Sequence, residues 1–196
     1  MKNNYFDIGF GPNTIYALVK IDKNVDFIAI FRKIHSEGFC LKCQAIKGEY
    51  QIIVMIEAET YEDCLEICDN YKKTYQGITD IKIMKISLAY MEEHYLNKQT
   101  GEAPLTSDDA TTKNSEVMSY VFADIDSTQL DKILTEITSH ENILIYYYSE
   151  SASTLILLVS GNQFTDIDKF IRYKVSSLDG ILKVKEYPVI DIYEYK

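Results

Sequence analysis

Positive charge is scarce in this sequence, and long apolar runs are absent. Its 196 residues include 20 Lys and Arg against 30 Asp and Glu, a formal net charge of −10. Basic residues gather at most in pairs such as Lys72-Lys73, so the surface should repel phosphate backbones, and we expect no direct nucleic-acid partner. No apolar run reaches the roughly 18 residues that span a bilayer, and residues 1–13 lack a signal-peptide pattern. We therefore expect no membrane partner and a cytoplasmic location.

Cysteine is also infrequent, and all four cysteines lie in the first half of the chain: Cys40, Cys43, Cys64 and Cys68. Four thiolates could hold zinc. However, Cys40 and Cys43 have an odd spacing on a predicted strand, which should point them to opposite faces. Cys64 and Cys68 are one helical turn apart, and we predict that both lie on the buried apolar face of the helix at 60–75. We therefore predict no metal site, and in a cytoplasmic protein we expect these thiols to be reduced.

An internal repeat of about 104 residues organises the chain. Ile21-Asp22 aligns with Ile125-Asp126, and Gly77-Ile78 aligns with Gly180-Ile181. Alternation and helical spacing predict the same order, βαββαβ, in both copies. In the first copy the strands are 16–22, 40–46, 50–58 and 78–86, with helices at 24–35 and 60–75. In the second copy the strands are 120–126, 143–149, 154–160 and 184–190, with helices at 127–139 and after a capping signal at Thr165-x-x-Asp168.

The repeat sets the predicted domain boundaries. Residues 1–96 form a first ferredoxin-like unit with an N-terminal arm, and residues 117–196 form a second unit. Residues 97–116 have the Gly, Pro, Ser, Thr and Asp content of a linker. Just before this linker, residues 88–96 are predicted as a short helix.

The βαββαβ order predicts an antiparallel sheet with both helices on one face, an α+β class. In residues 143–149 and 154–160 both strand faces are apolar, so the face without helices should also be covered. We therefore predict tandem ferredoxin-like units that pair as a (pseudo)dimeric α/β barrel. Homo-oligomerisation would cover the apolar surface that remains.

Residues 48–58 carry a turn glycine, a polar residue, an aromatic residue and then an apolar strand. Thr60 follows as a helix cap, and Gly77-Ile78 precede the last strand. Over residues 16–86 these features resemble the effector-binding domain of the Lrp/AsnC regulators, and residues 118–190 resemble it by topology. No helix-turn-helix precedes the first unit, so the resemblance implies the sensing half of such a regulator without its DNA-binding half.

The resemblance implies a small effector, often an amino acid, bound between subunits near the hairpin turn. A glycine turn exposes backbone N–H groups that can hold a carboxylate, although Gly48 can also be explained by the tight turn alone. Gln51 stands where the family usually has an acidic residue. The ligand-binding residues implied are Gly48, Glu49, Tyr50 and Gln51 in the first unit and Ser151, Ala152, Ser153 and Thr154 in the second.

We predict no catalytic residue and no cofactor. Asp22 and Asp126 follow the first strand of each repeat and are more simply turn residues than an acid–base pair. His35 and His140 lie near predicted helix ends, where a cation suits the helix dipole. No nucleophile elbow, P-loop or dinucleotide fingerprint is present.

The function predicted is therefore a non-enzymatic, small-molecule-sensing regulatory module. It would act as a homo-oligomer or by association with full-length regulators. One alternative is a dimeric α/β-barrel enzyme such as a cofactor-free monooxygenase. A second is an amino-acid-binding module of the ACT type, which usually has a glycine after its first strand, where this chain has residues 22–25 without one. A plain scaffold is the third.

Overall fold

The computed structural model describes residues 5–7, 13–92, 116–190 and 192. Apart from Glu116, the predicted linker at 97–116 lies outside these residues. Within them, no helix combines the length and the apolar character needed to cross a membrane.

The chain divides into two compact units, and each unit includes segments that are distant in sequence. We call them the N-unit and the C-unit. Of the described residues, the N-unit comprises 13–87, 149–152, 187–190 and 192, and the C-unit comprises 5–7, 88–92, 116–148 and 153–186.

The N-unit has the predicted order of elements. Its elements are β2 Thr14–Ile21, α1 Phe27–His35, β3 Cys40–Ile46, β4 Ile52–Glu57, α2 Tyr61–Thr74 and β5 Ile78–Lys85. The strands form an antiparallel sheet in the order β3-β4-β2-β5. Strand β10 spans Ile181–Ile190, and Val189 and Ile190 of this strand pair with the end of β3.

The helices of the N-unit begin at caps that the sequence encodes. The Asp26 side chain accepts from the N–H of Ala29 and starts α1. Thr60 and Asp63 form the predicted capping box of α2, in which each side chain accepts from the other residue's N–H at 3.0–3.1 Å. His35 lies in the last turn of α1, as predicted.

The C-unit contains the second repeat together with two extra strands. Its sheet has the order β1-β6-β8-β9-β7, followed by residues 181–186 of β10. The elements are β1 Tyr5–Asp7, β6 Leu88–Glu92, β7 Val117–Ile125, a 3₁₀ turn Ser127–Gln129, α3 Leu130–Ile137, β8 Ile143–Ser149, β9 Thr154–Gly161, α4 Phe164–Phe170 and a π-helical turn Ile171–Val175.

Two local predictions for the C-unit are wrong. The segment predicted as a short helix at residues 88–96 begins with β6, because β1 and β8 offer hydrogen-bonding partners on either side of it. The predicted cap Thr165 lies inside α4, which begins at Phe164 after Gln163 without any side-chain cap bond. The Thr-x-x-Asp spacing therefore does not mark the start of this helix.

Both faces of the N-unit sheet are buried, although apolar strand faces were predicted only for residues 143–149 and 154–160. On the helix-covered face, residues such as Ala17, Val54 and Ile56 pack with Ile34, Cys64, Cys68 and Tyr71 in one apolar cluster. On the opposite face the following side chains are at most 2% exposed: Tyr16, Leu18, Ile53, Met55 and Met84. In the C-unit the strand residues 155–159 are fully buried.

Each repeat has an equivalent hydrogen bond at the corner between its first strand and its first helix. The Asp22 N–H donates to the Gly77 carbonyl at 2.7 Å, and the Asp126 N–H donates to the Gly180 carbonyl at 2.8 Å. The Asp126 carboxylate also accepts from the N–H and hydroxyl of Thr128, and these bonds lower the pKa of Asp126. The two aspartates therefore have the predicted structural role at the turn.

Replacing the corner glycines with alanine should destabilise the protein. Gly77 and Gly180 have φ angles of +106° and +90°, and an added Cβ would lie 2.5 Å from Val25 Cγ2 and 2.7 Å from Gln129 Cβ, respectively. We expect Gly77→Ala and Gly180→Ala each to lower the free energy of unfolding by about 2 kcal/mol in urea denaturation. Gly38→Ala, where a Cβ would meet nothing within 4 Å, is the control. Equal stability of all three variants would contradict the strain argument.

Candidate functional site

The predicted ligand turn lies between β3 and β4 in the N-unit. Gly48 has a φ of +149°, and a Cβ there would lie 2.9 Å from Cδ1 of Tyr187. The Lys47 N–H donates to the Pro188 carbonyl at 2.8 Å. Glycine is therefore required both by the backbone conformation and by the close approach of residues 187–188.

Gln51 holds this turn together with its own side chain. Its Oε1 accepts from the N–H of Ile21 at 2.8 Å, and its Nε2 donates to the carbonyls of Gly48 and Glu49 at 2.9 and 3.3 Å. In the second repeat the equivalent N–H, that of Ile125, donates instead to the Ser153 carbonyl at 2.9 Å. Gln51 therefore has a structural role in this turn.

Tyr50 is buried and contacts residues outside the turn. Its side chain is 7% exposed, and its hydroxyl donates to Asp80 Oδ2 at 3.0 Å. Its ring centroid lies 6.3 Å from that of Tyr187. Burial, followed by the Asp80 hydrogen bond, raises the pKa of Tyr50 to about 12. The phenol therefore stays neutral at pH 7 and acts as a hydrogen-bond donor.

Glu49 is exposed and forms an ion pair with Lys20 on β2. Its carboxylate Oε1 lies 3.7 Å from Lys20 Nζ, and the two side chains are 47% and 43% exposed. Lys20 was not predicted as a site residue, although it lies at the outward end of the first strand. Of the four predicted residues in this turn, three make bonds or contacts that form the turn itself, while Glu49 and its partner Lys20 present opposite charges outward.

The second predicted turn has a different character. Ser151 is exposed, and Ser153 has a φ of +45° without being glycine. Thr154 is 1% exposed, and its hydroxyl donates to Asp124 Oδ1 at 3.1 Å. Thr154 therefore has a core position, and this turn does not reproduce the glycine geometry of the first.

The prediction that Cys40 and Cys43 point to opposite faces is wrong. Cys40 pairs with Ile56 and Cys43 pairs with Val54, because the register of β3 against β4 shifts just after Cys40. Two residues that are two apart on β4 share a face, so their partners also share one. Leu41 lies within this bulge, and its residue surface is half exposed. Both thiols consequently pack against the N-unit core.

The four cysteines fall into two chemically distinct pairs. A hydrogen bond from the Cys43 thiol lowers the pKa of Cys40, and the same bond together with burial raises the pKa of Cys43. Cys64 and Cys68 are buried on α2, as predicted, and burial raises the pKa of both, that of Cys68 to about 12. Over the described residues no three His, Cys, Asp or Glu side chains are placed to hold a metal.

A polar cluster that was not predicted lies in the C-unit. The Ser119 hydroxyl, on β7, donates to Glu186 Oε1 at 2.7 Å. Burial, with a smaller contribution from Asp168, raises the pKa of Glu186, while the Ser119 bond lowers it. Sequence reasoning missed the cluster because its residues are distant in sequence. A local signal in the sequence is Ser119 itself, a serine within the largely apolar strand Val117–Ile125.

Removing the Gln51 amide should destabilise the N-unit, because it would leave the Ile21 N–H, which is largely buried, without its partner. We expect Gln51→Ala to lower the free energy of unfolding by about 1–3 kcal/mol, measured by urea denaturation. Gln163→Ala is the matched control, since the exposed Gln163 makes no side-chain cap bond, and should change stability by less than about 0.5 kcal/mol. An unchanged unfolding midpoint for Gln51→Ala would show that these bonds are dispensable.

No protein-family model and no curated protein matches this chain. Among solved structures, the siroheme decarboxylase NirDL superposes with a TM-score of 0.64 at 8% identity, covering 91% of this chain and 71% of that chain. A putative monooxygenase from Fusobacterium nucleatum subsp. nucleatum gives a TM-score of 0.46 at 11% identity, covering 90% of this chain and 89% of that one. The first likeness shows that the two proteins share a ferredoxin-like α+β fold, and a shared fold does not specify a function.

Proposed function

We propose that this chain is a small-molecule-sensing regulatory module without catalytic activity, and that its effector is an amino acid bound at the turn of residues 47–51. The observation that carries the proposal is the exposed pair formed by Lys20 and Glu49. These two side chains offer one positive and one negative group at the position where the Lrp/AsnC resemblance implies the effector.

The charges of this pair complement those of a free amino acid. The ammonium of Lys20 would bind the α-carboxylate, and the carboxylate of Glu49 would bind the α-ammonium. At 3.7 Å and with both side chains more than 40% exposed, the existing ion pair is worth only about 0–1 kcal/mol, so opening it for a ligand costs little.

The rest of the turn supplies rigidity. Gly48 is closed in by Tyr187, Tyr50 is bonded to Asp80, and Gln51 ties the loop to β2. A turn held in this way loses little conformational freedom on binding, which favours affinity for a small ligand.

The wider assembly belongs to the same proposal. The tandem ferredoxin-like units would pair as a (pseudo)dimeric α/β barrel, and the module would act in the cytoplasm as a homo-oligomer or together with full-length regulators. The antiparallel strand order of the N-unit and the fold likeness to NirDL support the ferredoxin-like part of this proposal.

A thermal-shift screen of the twenty proteinogenic amino acids, followed by calorimetric titration, tests the site. An amino acid at about 100 times its dissociation constant should stabilise the protein by roughly 2.7 kcal/mol. We expect Glu49→Gln and Lys20→Met each to weaken its binding by about tenfold or more, because each removes one charge-assisted contact.

The control is Asp179→Asn, which breaks the exposed ion pair with Lys132 in the C-unit and should leave affinity unchanged. Loss of binding in this control would place the effector elsewhere. If no amino acid binds the parent protein, the effector assignment is wrong.

The polar cluster of the C-unit favours a second candidate, an enzyme of the dimeric α/β-barrel type. Glu186, a partly buried carboxyl group that is bonded to the Ser119 hydroxyl and whose pKa is raised by burial, is a candidate proton-transfer group. The similar fold of a siroheme decarboxylase suggests siroheme as the first probe. An enzyme should release CO2 from siroheme, and Glu186→Gln should abolish that release. No CO2 release by the parent protein would favour the sensing module.

Glu186 also makes a pH-dependent contribution to stability. Because its pKa is raised in the folded state, the native protein binds this proton more tightly than the unfolded chain does. The contribution is therefore fully present below the pKa of the unfolded chain and is lost as the pH rises through the folded pKa. Urea midpoints measured from pH 4 to pH 8 should fall less steeply for Glu186→Gln than for the parent protein, and parallel profiles would contradict this assignment.

A further inference from the structure

We propose that Cys40 and Cys43 are a redox-active dithiol that oxidises to an intramolecular disulfide by exchange with a low-molecular-weight disulfide of the glutathione class. This proposal is independent of the effector site, because it depends on the bulge in β3 and not on the turn that follows this strand.

The bulge brings the two cysteines to a distance that a disulfide can span. Cys40 and Cys43 pair with Ile56 and Val54, which are two residues apart on β4. Two residues along a strand correspond to roughly 6.6 Å between Cα atoms, and disulfides bridge Cα atoms up to about 6.8 Å apart. In a regular strand the same spacing of three residues would give about 10 Å and opposite faces.

The two thiols already interact in the reduced protein. The Cys43 thiol hydrogen-bonds to the Cys40 sulfur, and the backbone N–H of Lys42 donates to the same sulfur. Both donors stabilise a thiolate at Cys40, and the thiolate is the nucleophilic form of cysteine. Cys40 is therefore suited to the attacking role, and Cys43 to the resolving role.

Exposure separates this pair from the other two cysteines. Cys40 and Cys43 are half-buried, while Cys64 and Cys68 are 0% and 1% exposed. The neighbouring Leu41 is 50% exposed, so the bulge lies at the surface. A small disulfide can therefore reach the first pair in the folded protein but not the second.

The exchange is balanced in two steps. The Cys40 thiolate attacks one sulfur of the disulfide RSSR, forming the mixed disulfide Cys40–SR and releasing RS⁻, which takes up the proton that Cys40 lost. The Cys43 sulfur, after giving up its proton, then attacks the Cys40 sulfur, forming the Cys40–Cys43 bond and releasing a second RSH. The protein dithiol loses two electrons and two protons, and one RSSR becomes two RSH.

Tryptic mapping after equilibration with oxidised glutathione tests this proposal. Trypsin cleaves after Lys42, between the two cysteines, so residues 34–42 and 43–47 become separate peptides. We expect them to remain joined until a reductant is added, after free thiols have been alkylated. Cys64 and Cys68 lie together in the tryptic peptide 48–72, which should carry two alkyl groups.

Two variants assign the roles. Cys43→Ser should accumulate glutathione on Cys40, because the resolving thiol is missing, while the control Cys68→Ser should form the Cys40–Cys43 bond to the same extent as the parent protein. The proposal is overturned if peptides 34–42 and 43–47 separate fully alkylated from the parent protein, or if peptide 34–42 is joined to peptide 48–72 instead. The parent protein alone decides between these outcomes, so the test does not depend on the folding of a variant.

Discussion

The backbone hydrogen bond at the strand-to-helix corner is the contact on which each repeat depends. It joins the end of the first strand to the residue just before the last strand, Asp22 to Gly77 in one repeat and Asp126 to Gly180 in the other. Because both glycines have a positive φ and lie against the loop that leads into the first helix, the corner fixes where that helix leaves the sheet. The helix can then place its apolar side on the strands.

Much of the fold could be predicted because its signals are local and periodic. The bounds of β3 and β8 agree with the predicted strands 40–46 and 143–149, and the Thr60 capping box lies where it was expected. Failures occurred where a neighbouring element decides the structure. The segment starting at Leu88 is a strand because other strands flank it, and no periodicity within the segment records that fact.

The bulge in β3 shows that one extra residue makes a prediction of strand faces from the sequence spacing wrong. An unbroken strand would place Cys40 and Cys43 on opposite faces, and the strand Cys40–Ile46 itself contains no glycine or proline to signal a break. Only the pairing with β4 reveals the shift. A one-residue change of register moves every later side chain to the other face. A prediction that uses only the odd or even spacing of two residues is therefore wrong across such a bulge.

The candidate site was predicted in part. The turn glycine could be recognised from its position, but the partners that hold the turn come from elsewhere in the chain: Ile21, Asp80 and Tyr187. The same is true of the Ser119–Glu186 contact, whose residues lie on β7 and β10. Local sequence could therefore predict the turn, whereas the contacts that hold the turn are long-range and are not encoded in local sequence.

The composition of the N-unit also has a consequence for synthesis on the ribosome. Its edge strand β3 pairs with Val189 and Ile190, and the Lys47 N–H bonds to the carbonyl of Pro188. These partners are translated about 140 residues after β3. During that interval the nascent sheet has an unpaired edge, the kind of surface on which chains aggregate. The N-unit sheet therefore becomes complete only after residues 189 and 190 have been synthesised, although most of its residues are made first.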